Sequence, residues 1–193
     1  MSFLRRLFGG SPTESVAADP ARADSAPIAR EDGDTASVRR IVTQLEAMPA
    51  DQARFVAAAA YVLARVANAD FDMSPEETAY MEKSLVEGSR ISEAQAVLVV
   101  ESAKQQARLF GSTEDFLVTR EFRAISTPEE RLRLLRGCFL AAAADNTITS
   151  DESATLNQIA NELEIEAADL SALRSEFGDR LSVVQAMRAR QGR

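Results

Sequence analysis

The chain carries one acidic phrase twice, each time directly after an alanine-rich apolar stretch. The two copies read ANADFDMSPEETA over residues 67–79 and AAADNTITSDESA over residues 142–154. An internal repeat of this kind predicts two copies of one supersecondary unit within a single domain. We therefore expect the two acidic turns to occupy equivalent positions in the fold.

Helix-start signals recur along the chain and predict about eight helices, followed by a last amphipathic piece. In the first repeat Ser74 is the N-cap, Pro75 takes the first helical position and Glu77 completes a capping box. No segment has the pattern of a strand. We predict an all-α fold, a single compact bundle of about seven to eight helices with an internal pseudo-twofold repeat. The predicted helices begin near residues 35, 49, 74, 92, 113, 127, 149, 167 and 181, and the fourth ends near Gly111.

Three regions follow from composition. Residues 1–36 are predicted to be a disordered tail, residues 37–187 the helical domain, and residues 188–193 a frayed end. The tail opens with an amphipathic segment that could contact a membrane surface or a partner groove, or be simply an untethered terminus. Its candidate contact residues are Phe3, Leu4, Arg5, Arg6, Leu7 and Phe8.

Charge and residue usage exclude several classes of function. The formal net charge of −8 argues against a nucleic-acid partner, because phosphate binding needs a basic face. The chain has no histidine, which removes the commonest general base and the usual zinc, copper and di-iron ligand sets. We therefore expect no enzymatic activity. Cys138 lies in an apolar run, so we expect it to be buried. The chain shows neither a membrane span nor a secretory signal, and this predicts a cytoplasmic protein.

The acidic turns are the candidate site. Carboxylates and backbone carbonyls are the ligands that hard divalent cations prefer, so we expect Ca²⁺ first, with Mg²⁺ and Mn²⁺ next. Neither copy is an EF-hand, since the glycine and the bidentate glutamate of that loop are missing. The candidate ligands are Asp70, Asp72, Glu76 and Glu77 in the first copy, and Asp145, Asp151 and Glu152 in the second.

Helix capping offers a different explanation of the same residues. Acidic side chains in the first turn complement the helix dipole, and a glutamate three residues after the N-cap returns a hydrogen bond to it. Capping accounts for Glu76, Glu77, Asp151 and Glu152 without a metal. It does not account for the aspartate that stands at the same offset upstream of each helix, and both interpretations stay open.

The doubled pattern resembles the tellurite-resistance TerB-like domain family, over roughly residues 50–177. The matching residues are Asp70, Met73, Ser74, Glu77, Asp145, Ile148, Thr149 and Glu152. The resemblance implies an all-helical, non-catalytic module whose acidic clusters form a metal-binding surface. It also implies a role in tellurite or other stress responses, with protein partners in complexes that are sometimes membrane-linked. Here the family's Asp-Gly turn is Asp70-Phe71 in one copy and Asp145-Asn146 in the other. The alternative function is a metal-free interaction or scaffold module, held at a complex or at the inner face of the membrane by its N-terminal segment.

Overall fold

The computed structural model of the chain describes residues 31–70 and 73–191. The predicted tail up to residue 30, with its candidate contact residues, lies outside the described residues, as does Asp72. The chain divides into two units, Met1–Met48 and Pro49–Arg193. The described part of the first unit contains helix α1, Glu31–Glu46, which begins four residues before the predicted start at Thr35.

The second unit is a helical bundle, and within the described residues its one β-type contact is a single bridge between Ile148 and Leu181. The prediction of an all-α fold is confirmed. No described helix combines the length and apolarity needed to cross a bilayer. The helices are α2 Ala50–Ala67, α3 Pro75–Ser89, α4 Glu93–Ile125, α5 Pro128–Ala142, α6 Ser150–Glu162, α7 Ala167–Glu176 and α8 Ser182–Gln191, with a 3₁₀ turn at Gly178–Arg180 before α8.

Helix α2 lies at the centre of this unit. It packs along α4 and also contacts α3, α5 and α6. Every residue of α2 from Val56 to Ala67 is buried, and all of them except Arg65 are uncharged, which is typical of a helix buried on all sides. Tyr61, Leu63 and Val66 are at most 1% exposed.

Four helices begin with the predicted capping box. Ser74, Ser92, Thr127 and Thr149 each accept a hydrogen bond from the backbone N–H three residues later, and the side chain at that position accepts one in return. Each such cap contributes about 1 kcal/mol of helix stability. The caps fix where α3 and α6 begin, and so they fix the position of the two repeated glutamates.

One predicted boundary is wrong. The structure has a single helix of 33 residues, α4, where the sequence suggested two helices separated near Gly111. A glycine inside a helix costs only about 1 kcal/mol, and the packing of α4 along α2 outweighs that cost. The hydroxyl of Thr113 donates to the carbonyl of Phe110 at 3.0 Å, so the polar side chain that suggested a new cap bonds within the continuing helix.

Candidate functional site

The structure brings the two repeated glutamates together. Glu77, in the first turn of α3, is 5% exposed, and Glu152, in the first turn of α6, is 2% exposed. The backbone N–H of Ser74 donates to Glu77 Oε2 at 2.5 Å, and that of Thr149 donates to Glu152 Oε2 at 2.7 Å. The two carboxyl groups also lie within hydrogen-bonding reach of each other. We call Glu77 and Glu152 the carboxyl pair.

The carboxyl pair holds its protons unusually tightly. Burial raises the pKa of Glu152 to about 7, and the neighbouring Glu77 adds to the rise, while the cap hydrogen bonds oppose it. Burial also raises the pKa of Glu77, and the charge of Asp145 adds to that rise. Two buried carboxylates in contact cannot both ionise without a compensating cation, so the pair shares a proton near neutral pH.

The upstream aspartates occupy the ends of the two turns. Asp145 is exposed, and its Oδ1 accepts the backbone N–H of Thr147 at 2.9 Å. Asn146 takes the left-handed conformation, with φ of 77°, that a glycine would otherwise supply. The charge of Asp145 in the second copy acts on Glu77 of the first copy. Asp70 is half-buried at the end of the first turn.

The other two predicted ligands stay outside the carboxyl pair. Glu76 and Asp151 are exposed in the first turns of α3 and α6, where they complement the helix dipoles. Over residues 31–70 and 73–191, no group of three or more carboxylate or cysteine side chains is close enough to hold a metal ion. The carboxyl pair supplies two buried oxygen donor groups, which fit a hard cation in chemical type.

A comparison of the sequence with models of known protein families shows to which family the chain belongs. Residues 54–175 match the model of the family described as tellurite resistance protein TerB. The chain belongs to this family. The match covers α3, α5 and α6 with both acidic turns, so the carboxyl pair lies inside the TerB region. Searches of curated proteins and of solved structures find no match.

A segment beyond the TerB match holds the second turn. We call residues 178–188 the C-terminal strap. The backbone N–H of Ile148 donates to the carbonyl of Arg180 at 2.7 Å, and that of Ser182 donates to the carbonyl of Ile148 at 2.9 Å. Gln185 Nε2 donates to the carbonyl of Asn146, and Arg180 Nη1 to that of Ala143, both at 2.9 Å. The strap therefore occupies carbonyls of the turn and places a guanidinium beside it.

A second buried polar cluster lies in the TerB domain, and sequence reasoning missed it. Arg65 of α2 is 6% exposed and forms a bidentate ion pair with Glu162 of α6, with N–O distances of 2.6 and 3.1 Å. Its Nε lies 3.2 Å from Asp115 Oδ2 of α4, and Tyr61 donates to Asp115 Oδ1 at 3.0 Å. We call these residues, with Thr119, the Arg65 hub. The available signal was a single arginine inside the otherwise apolar run FVAAAAYVLARVA.

Charge compensation inside the Arg65 hub changes the titration of its acids. Burial acts to raise the pKa of Glu162, but the hydrogen bonds and charge of Arg65 outweigh burial and lower the pKa below its ordinary value. Arg65 compensates Asp115 less fully, since burial raises the pKa of Asp115 although the charge of Arg65 opposes the rise. The hub joins α2, α4 and α6 as a structural cluster, since its arginine is already satisfied by protein groups.

Proposed function

We propose that this TerB-family chain is a non-enzymatic helical module that binds a divalent cation at the carboxyl pair, with Ca²⁺ as the first candidate and Mg²⁺ or Mn²⁺ next. The observation that carries the proposal is the meeting of Glu77 and Glu152, one from each repeat, in a buried contact where no lysine or arginine of the described residues is among the groups that shift their pKa values. Helix capping explains why each glutamate lies at its helix start. It gives no reason for the two side chains to face each other.

A bound cation would supply the positive charge that lets both carboxylates ionise. Glu77 and Glu152 would hold it, with Asp145 nearby and Asp70 at the equivalent place in the other copy as further candidate ligands. Binding would release the proton that the pair shares, so affinity should rise with pH through about 7, where Glu152 titrates. This pH dependence separates the carboxyl pair from exposed acids, which ionise at lower pH.

The cellular role that we propose is a part in the tellurite or a related stress response, in the cytoplasm. Support for it comes from the TerB match. We further propose protein partners from a stress-response complex and no nucleic-acid partner, in line with the net charge of −8. Residues 3–8 would make the contact with such a complex or with the inner face of the membrane.

Titration calorimetry with Ca²⁺, Mg²⁺ and Mn²⁺ at pH 8 tests the cation. We expect a binding heat for the wild type that is lost in Glu77→Gln and in Glu152→Gln, and weakened in the double variant Asp70→Ala/Asp145→Ala. The matched control is Glu130→Gln, because Glu130 has the same capping role at the start of α5 but is not a member of the carboxyl pair. Absence of heat in the wild type, or equal heat in Glu152→Gln, would overturn the proposal.

A metal-free interaction module is the second candidate. It is favoured by the exposure of Glu76, Asp145 and Asp151 around the repeated turns, which leaves an acidic surface for a basic partner. A pull-down that compares the wild type with Glu76→Gln/Asp151→Gln would test this surface. Deletion of residues 1–10 would separately test the N-terminal contact. Unchanged partners in both experiments would rule this candidate out.

A further inference from the structure

Helix α4 exposes an apolar surface at its middle. We define the α4 patch as Leu109, Phe110, Phe116 and Leu117, whose exposed fractions are 71%, 43%, 53% and 52%. Exposed apolar residues on monomeric proteins are usually scattered singly, and the largest contiguous apolar patch of a monomer, which is typically of this size, often serves an interaction. The opposite side of the same helix is buried, for example at Val118 and Phe122, so the patch faces away from the core.

The patch has a palindromic order. Residues 109–117 read LFGSTEDFL, with Leu-Phe at one end and Phe-Leu at the other, centred on Thr113. Thr113 is exposed, and it shares a helix face with Leu109, Phe116 and Leu117, which are three or four residues away. A twofold interface requires that residue i contacts j while j contacts i. A palindrome centred on one exposed residue meets that requirement when the helix pairs antiparallel with its own copy.

We propose that the α4 patch binds a second copy of this chain, with the two α4 helices antiparallel and crossing at Thr113. This arrangement places Leu109 of each copy opposite Leu117 of the other, and Phe110 opposite Phe116. Arg120 lies over the ring of Phe116 within the same chain, 5.8 Å from its centroid.

Charge favours this face over the rest of the surface for self-association. Apart from Asp115, which is paired with Arg65 in the Arg65 hub, the ionised residues beside the patch are two arginines and two glutamates, so their charges cancel, although the whole chain carries −8. Pairing through α4 therefore does not bring the acidic excess of two chains into contact. The residues beside the patch are Arg108, Glu114, Arg120 and Glu121.

The exposed area of the α4 patch indicates how stable the dimer should be. The exposed parts of four side chains of this size amount to roughly 400 Å² per copy, about half of what each partner contributes to a standard interface. Such a patch supports a reversible dimer whose population depends on concentration. The patch lies on the convex side of a helix, which suits a facing helix better than a small ligand.

Cross-linking at the twofold axis tests the geometry. In the full chain, Thr113→Cys puts the two new thiols face to face, and we expect a covalent dimer under mild oxidation. Gln105→Cys is the matched control on the same helix, because its two copies would lie about 24 Å apart in the antiparallel arrangement. The native Cys138 is buried, so the wild type reports the background. No cross-link at position 113, or equal cross-linking at position 105, would overturn the arrangement.

Sedimentation velocity over a hundredfold concentration range tests the surface itself. We expect the wild type to shift from monomer to dimer, and Leu117→Glu to remain monomeric with unchanged helicity. Val97→Glu serves as control, since Val97 is an exposed apolar residue of the same helix outside the patch, at 42% exposure. A wild type that is monomeric throughout, as it would be if residues 3–8 of its own chain covered the patch, would refute the proposal. So would a dimer that Leu117→Glu leaves intact.

Discussion

The carboxyl pair and the Arg65 hub each place two acidic side chains between helices of the TerB domain, but they are compensated differently. In the hub, Arg65 lies between Glu162 and Asp115, and the pKa of Glu162 falls below its ordinary value. In the carboxyl pair, Glu77 and Glu152 face each other, and the pKa of Glu152 rises to about 7. The pKa values of Glu162 and Glu152 therefore shift in opposite directions, while burial raises the pKa of Asp115 in the hub as well.

The difference separates a structural cluster from a candidate binding site. A buried acid that the chain pairs with its own arginine needs nothing from solution. A buried acid that the chain pairs with another acid depends on a proton or a cation from outside. For this reason our proposal assigns the cation to the carboxyl pair, and we interpret the hub as structural.

The largest effect should follow from removing the arginine of the hub. Arg65→Met removes the counter-charge of the buried Glu162 side chain and of the part-buried Asp115, and we expect the free energy of unfolding to fall by about 3–5 kcal/mol. Urea denaturation measures it. Arg54→Met is the control, because the Arg54–Glu121 pair is exposed and is worth less than about 1 kcal/mol. Equal losses in both variants would show that the hub is not compensated as described.

The carboxyl pair should give a smaller effect, and one that depends on pH. Its folded-state pKa lies above the unfolded value, so the stabilisation is present at pH 4.5 and is lost as pH rises through about 7. We expect the metal-free protein to lose on the order of 2 kcal/mol of unfolding free energy between pH 5 and pH 8. Thermal and urea unfolding across this range measures the loss.

The control for this pH dependence is Glu152→Gln, which cannot ionise and keeps a group able to complete the capping box. It should flatten the stability curve, whereas Glu130→Gln should leave the curve unchanged. A wild-type protein whose stability rises over the same range would contradict the raised pKa of the pair.

The smallest loss of unfolding free energy should come from removing a helix cap that lies outside the carboxyl pair. Thr127→Ala removes the N-cap of α5, where Glu130 completes a capping box outside the carboxyl pair. We expect a loss of about 1 kcal/mol, equal at pH 5 and pH 8. Circular dichroism during urea unfolding at both values measures it, and a loss confined to pH 8 would mean that capping itself causes the pH dependence.

Local signals carried the sequence predictions that succeeded. Ser74 and Thr149 start their helices through contacts within three residues, so the positions of α3 and α6 could be predicted, and the repeat indicated that their glutamates are equivalent. That Glu77 and Glu152 touch could not be predicted, because the contact depends on how the two repeats pack.

The failures have the same origin. Gly111 carries a local signal for a break, but the packing of α4 on α2 overrides it. Arg65 finds its partners on α4 and α6, far along the chain, and nothing beside it in the sequence identifies them. Local chemistry set the ends of most helices, whereas the clusters between helices depend on packing that a single sequence does not reveal.

The C-terminal strap makes the second turn depend on a part of the chain that is synthesised late. The backbone bonds at Ile148 need residues 180 and 182, which the ribosome adds only after all of α3, α5 and α6. A hydrogen bond needs both of its partners, so the second turn cannot complete these bonds until the strap has been made. A nascent chain that stalls before the strap would contain both glutamates of the carboxyl pair, but its second turn would lack the backbone hydrogen bonds of Ile148.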